Sequence, residues 1–197
     1  MVLLIRKRSL QICLYTLCGL LCGFHADCST GIRDSIEAVC LSIEGQKELT
    51  GRNDGPVVRE VLATCNLKEG NPYCAATVNW AFQKVGVKPG VKNPARAASW
   101  FADPSKITYK RTWQKLNFKF KKAQVFGLYY SELGRVGHVG FILDETLTNY
   151  ITFEGNTNAS GSREGDGFYK KIRSKKSIYI ISDYINDEED EKRDWRK

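Results

Sequence analysis

The feature that most constrains this chain is a change of hydrophobic period part-way along it. Ile32, Ile36, Cys40 and Ile43, with Val39 beside them, recur every three or four residues, which predicts a helix with one buried face. Thr50 to Pro56 (Thr-Gly-Arg-Asn-Asp-Gly-Pro) is turn-forming, and a second amphipathic helix is expected through Val58, Val61, Leu62 and Cys65. A third follows from Asn71, as N-cap, and Pro72, at the first helical position, with Val78, Phe82 and Val85 as its core stripe and Gly86 as its stop. After Lys92 the runs become β-like, clearest at Val136–Leu143, Tyr150–Phe153 and Ile178–Tyr184. Helices first and strands afterwards predict an α+β domain with an antiparallel sheet packed on the helices.

The chain has 197 residues, enough for one domain with a proper core, and its 42% hydrophobic and 26% charged content is that of a folded protein rather than a disordered one. The first 26 residues differ in kind. Arg6, Lys7 and Arg8 precede the uncharged, mostly apolar run Ser9–Phe24, with the small residue Ala26 after it. This is the pattern of a secretory signal peptide, with an N-terminal anchor as the alternative. Lipid attachment at Cys22 or Cys28 has no good lipobox in front of it. Export leaves a net charge of about +5, from +8 for the whole chain. It also leaves four cysteines, Cys28, Cys40, Cys65 and Cys74, in an oxidising compartment. A Cys40–Cys65 bridge and two buried thiols are both open. No C-x-x-C pair is present and a single histidine remains after residue 26, so no metal site is expected. Residues 187–197 mix six acids with four bases and read as a disordered tail.

Two places carry chemistry. Cys74 falls in the first turn of the third helix, where unpaired N–H groups and the macrodipole stabilise a thiolate. Residues 137–144 and 149–154 read as the arms of a hairpin. A three-residue loop, Glu145 to Leu147, would place His138 directly opposite Glu154 on one face, with Gly140 leaving room beside the imidazole. Val139, Phe141, Leu143, Ile151 and Phe153 would form the core face. A loop of even length would pair His138 with Phe153 or Gly155 instead. Each residue alone has an inert reading: core filler for Cys74, a surface imidazole for His138, a solvated charge for Glu154. Together they supply nucleophile, base and orienting acid.

The motifs Thr-Gly-Arg-Asn-Asp-Gly-Pro (50–56), Pro-Tyr-Cys-Ala-Ala (72–76), Ala-Ser-Trp-Phe (98–101), Gly-His-Val-Gly (137–140) and Glu-Gly-Asn-Thr (154–157) resemble the CHAP family, the cysteine, histidine-dependent amidohydrolase/peptidases. The resemblance runs from about Ile36 to Ile181. It implies a papain-like catalytic domain over residues 30–186, exported to the cell envelope or outside the cell. The implied activity is hydrolysis of peptidoglycan stem-peptide amides through a thioester, as an endopeptidase or an N-acetylmuramoyl-L-alanine amidase. Carried over, Cys74 is the nucleophile, His138 the base, Glu154 the orienting acid and Asn156 a fourth catalytic residue, with Tyr73, Gly137 and Trp100 in substrate binding. Where many relatives carry Gln before the cysteine this chain has Tyr73, which turns attention to the backbone N–H of Cys74 as oxyanion donor. A monomer needing no cofactor or metal is expected, touching the membrane only through its N-terminus. The alternatives are an inactive envelope-binding protein of the same fold, or a deamidase or peptidase acting on a protein.

Two further stretches have weaker readings. The glycine-rich run 155–167 reads as a loop lining the cleft or a plain hairpin connection, and Asn158–Ser160 fits a glycosylation sequon. The basic, aromatic run Lys106–Lys122 favours a solvated face over envelope polymers, and nucleic acid is not expected.

Overall fold

The computed structural model describes residues 31–112, 118–158 and 165–187. The expected signal segment, Cys28, Trp113, residues 159–164 of the glycine-rich run, part of the sequon and the expected tail from residue 188 therefore lie outside the described residues. Three helices come first: α1 (Ile32–Leu41), α2 (Pro56–Ala63) and α3 (Cys74–Lys84). Six strands follow: β1 (Ile107–Lys110), β2 (Gln124–Tyr130), β3 (Arg135–Glu145), β4 (Asn149–Thr157), β5 (Gly167–Ser174) and β6 (Ile180–Ser182). They form one antiparallel sheet in the order β1-β6-β2-β3-β4-β5. The architecture is mixed α+β, as the change of period predicts.

The main core lies between the helices and the sheet, where Ile36, Val61, Leu62 and Phe82 meet Val125, Val139, Phe141, Leu143 and Phe153. A second cluster, Phe126, Leu128, Ile142, Tyr150, Ile178 and Ile181, is covered by Tyr109, Phe118 and Phe120. Three aromatics of the basic run, Tyr109, Phe118 and Phe120, thus serve this packing. Ile151, expected in the core, is only half-buried.

Helix α3 is buried from Cys74 through Phe82, not along one stripe. It can be buried all round because its polar groups have partners. Asn79 Nδ2 donates to the Thr64 carbonyl at 3.1 Å, and Trp80 Nε1 donates to Glu60 at 2.9 Å. The helix starts later than the Asn71–Pro72 signal suggests: Tyr73 is the N-cap and Cys74 the first helical residue. Asn71 instead turns back to donate to the Lys68 carbonyl. Cys40 and Cys65 are free thiols; Cys40 is buried on α1, whereas Cys65, also expected buried on a helix, is half-buried just beyond the end of α2. Burial and the neighbouring Glu37 charge push the Cys40 thiol far up, which makes it inert.

The hairpin departs from the expected register. Glu145 pairs with Tyr150, so four residues separate the last pair, and Asp144 pairs with Ile151. A bulge before Asp144 then shifts the count by one, giving Ile142 with Thr152 and Phe141 with Phe153. The even loop alone would send His138 and Glu154 to opposite faces. The bulge restores them to the same face. Continuing that register, Glu154 lies opposite Gly140, diagonal to His138 rather than directly across from it.

Two glycines fix how closely these elements approach. A Cβ on Gly140 would meet the Phe153 carbonyl oxygen at 2.5 Å and Glu154 Cγ at 2.9 Å, so only glycine leaves room for the Glu154 side chain. A Cβ on Gly155 would come 2.1 Å from Thr77 Oγ1, so this position lets α3 press onto β4. Gly155→Ala is expected to destabilise the fold by about 1–3 kcal/mol through overpacking. Chemical denaturation checks this, and an unchanged midpoint would show that α3 does not sit this close.

Candidate active site

Cys74, His138 and Glu154 come together at the start of α3 and along β3 and β4. His138 is held beside a second bulge, where Leu128 pairs with His138 but Tyr129 pairs with Val136, leaving Gly137 as the extra residue. His138 Nε2 lies 2.8 Å from Glu154 Oε2. That contact leaves Nδ1 as the nitrogen for Cys74, whose thiol lines the same cleft beside the imidazole and interacts with it electrostatically. The nearby backbone N–H groups of Val139 and Ala75 also favour the charged form of the sulfur.

Glu154 is fully buried, and a buried carboxylate persists as a charge only if it is paired and hydrogen-bonded. Its partners are complete. Thr152 Oγ1 donates to Oε1 at 2.7 Å, Arg173 Nε donates to Oε1, and Arg173 Nη2 donates to Oε2. Burial acts to raise this carboxyl's pKa, but Arg173 and His138 outweigh it and hold Glu154 far below the usual carboxylate range. Arg173 is the site residue that sequence reasoning misses. It sits on β5, nineteen residues from Glu154 and after two lysines that break the apolar alternation, so no local pattern marks it.

The charges favour a thiolate–imidazolium pair. Burial works against ionisation of Cys74, yet the His138 hydrogen bond and charge, with the two backbone donors, bring its pKa below the ordinary thiol value of 9.0. Burial likewise lowers the His138 pKa, but the bonds and charges of Cys74 and Glu154 prevail and push it up to about 9.

The other expected site residues fall differently. Asn156 lines the cleft, and its Oδ1 accepts the Tyr73 N–H at 2.8 Å, tying β4 to the N-cap of α3. Its φ of +53° is one that asparagine tolerates better than most residues. Gly137 also lines the cleft. Tyr73 and Trp100, expected in substrate binding, are corrected. The Tyr73 ring is fully buried against Phe168, with its hydroxyl donating to Glu48 Oε1 at 3.0 Å. Trp100 is fully buried against Phe82 and Tyr184, and its Nε1 donates to the Pro94 carbonyl. Both are large aromatics that the core claims before a ligand can.

The cleft has a volume of about 320 Å³ and reaches both Cys74 and His138. Among the described residues no three His, Cys, Asp or Glu side chains are grouped to hold a metal ion. Comparison with known proteins finds no matching family model, no matching curated protein and no matching solved structure.

Three outcomes check this electrostatic assignment. Alkylation of Cys74 by iodoacetamide should have its midpoint below pH 9 in the wild type, and at or above it in His138→Ala. An identical midpoint in the two proteins would remove the ion pair. Arg173→Gln should destabilise the fold by about 3 kcal/mol in chemical denaturation, because it leaves Glu154 with one partner too few. The same variant should shift the His138 titration, followed by NMR, to lower pH.

Proposed function

We propose that the protein is an exported cysteine hydrolase of the papain-like CHAP type, cutting amide bonds in the stem peptides of peptidoglycan. The observation that carries the reading is the ordered contact Cys74–His138–Glu154, with the carboxylate anchored from behind by Arg173 and the sulfur facing an open cleft. A helix bearing the cysteine at its N-terminus, packed on an antiparallel sheet whose strand bears the histidine, is the arrangement such an enzyme requires. The five family-like motifs also support it. Of them, Gly-His-Val-Gly and Glu-Gly-Asn-Thr supply the histidine, its carboxylate and both close-approach glycines.

In this reading the Cys74 thiolate attacks the scissile carbonyl carbon, forming a C–S bond and an oxyanion. The backbone N–H of Cys74 stands at the first helical position and has no intrahelical acceptor, so it is the donor assigned to the oxyanion. Collapse of the intermediate breaks the C–N bond, and His138 gives its proton to the departing amine. Neutral His138 then takes a proton from water, whose oxygen attacks the thioester. The acid is released, the thiolate is regenerated, and His138 is left protonated again. Glu154 stays ionised throughout, fixing the ring and stabilising its positive form.

Incubating the protein, freed of residues 1–26, with purified peptidoglycan tests this. New amino termini within the stems identify an endopeptidase, and release of intact stems from glycan identifies an amidase. Cys74→Ala should lose activity by at least about a thousandfold. Hydrolysis by wild type should fall as pH rises through about 9, where His138 loses the proton that the leaving amine needs. An equally active Cys74→Ala variant would sink the proposal.

A further inference from the structure

The walls of the cleft carry charge of one sign. Arg96, in the turn before the short 3-10 segment Ala97–Phe101, and Arg135, at the first position of β3, both line it, and among the described residues no carboxylate does. Both side chains are exposed. Among the described residues neither guanidinium has an ion-pair partner, and Arg135 makes only a bond to the neighbouring Val136 carbonyl. Arg33 is held by Asp183 and Asp187, Arg59 by Glu69, and Arg173 by Glu154, whereas Arg96 and Arg135 share their lack of a carboxylate partner with Arg52 and Arg111 and differ from those two in lining the cleft. The same space receives the positive end of α3 and the His138 imidazolium, while Glu154 is sealed behind the ring and already neutralised by Arg173, and Glu48 accepts from the Asn53 N–H and the Tyr73 hydroxyl. Asn53 and Asn71 add amide groups to the lining.

We infer that this cleft selects an acyl-donor peptide carrying a free carboxylate beside the scissile amide, with Arg96 and Arg135 as the carboxylate-binding residues. A guanidinium presents a planar fork of donors that matches a carboxylate, and an unpaired one on a cleft wall is already in place for that contact. Substrates bearing amides in place of those carboxylates lose the contact while the cysteine chemistry is untouched. The two arginines thus set specificity, not rate at the sulfur. This inference rests on the cysteine-hydrolase reading of the cleft and narrows its substrate to anionic peptides.

Binding to Cys74→Ala protein separates the inference from the reaction. The probes are acetyl-Ala-Glu-Ala-amide and its uncharged partner acetyl-Ala-Gln-Ala-amide, titrated while the amide signals of Gly137 and Asn156 and the guanidinium signals of Arg96 and Arg135 are followed by NMR. The Glu peptide should bind about tenfold tighter at low salt, with the advantage shrinking as salt is raised. Arg96→Gln/Arg135→Gln should abolish the preference, and Arg96→Lys/Arg135→Lys should keep most of it. Equal binding of the two peptides, no binding of either, or a preference that survives the double Gln substitution would overturn the inference. A clear preference together with failure of the peptidoglycan digest would instead overturn the hydrolase reading and leave the carboxylate site standing.

Discussion

Everything about the site depends on keeping one carboxylate ionised where water does not reach. Moving an ion into a protein interior costs several kcal/mol after relaxation, and an isolated Glu154 would take up a proton instead. Two Arg173 donors, the Thr152 hydroxyl and the His138 ring together make the charged form the stable one. That charge holds His138 in its protonated form, and the imidazolium in turn holds Cys74 as a thiolate. The sequence of influence runs inward from β5 to the sulfur: guanidinium, carboxylate, imidazole, thiolate.

The backbone is shaped around this row of side chains. Gly140 gives Glu154 its space, Gly155 lets α3 settle on β4, and Gly137 occupies the bulge that aims His138. Asn156 fastens the end of β4 to the N-cap that immediately precedes Cys74. These are short-range steric devices with a long-range purpose, since each fixes the separation of two elements that carry different members of the site. Burial of α3 from Cys74 through Phe82 makes the helix a rigid mount for the sulfur, which a helix half-exposed to solvent would not be.

The cleft in front of the sulfur is shaped by other forces. Large aromatics near it, Tyr73 and Trp100, are drawn into the core because burying a ring stabilises the fold more than exposing it beside a small cleft. What remains on the walls is a mixture of apolar side chains, among them Leu67, Tyr130 and Leu133, with the amides of Asn53 and Asn71 and the two guanidinium groups. A cleft whose two wall arginines, Arg96 and Arg135, have no carboxylate partner among the described residues is arranged to meet negative charge from outside.

The sequence by itself determined what depends on neighbours three, four or two residues apart. The amphipathic periods of α1 and α2, the place of Cys74 at the start of a helix and the alternation of β3 and β4 were all legible in it, because local backbone geometry sets side-chain direction. The pairing of His138 with Glu154 was legible as residue types but not as register, since an even loop and a bulge compensate each other and neither leaves a mark in the alternation. Only the tertiary structure decided that Arg173 anchors Glu154, that Trp100 is core and not cleft, and that Arg96 and Arg135 face the same space as the thiol. Those facts come from elements brought together by burial across long stretches of chain. Hydrophobic burial is non-directional, so it leaves no periodic signal at the polar residues it carries into contact.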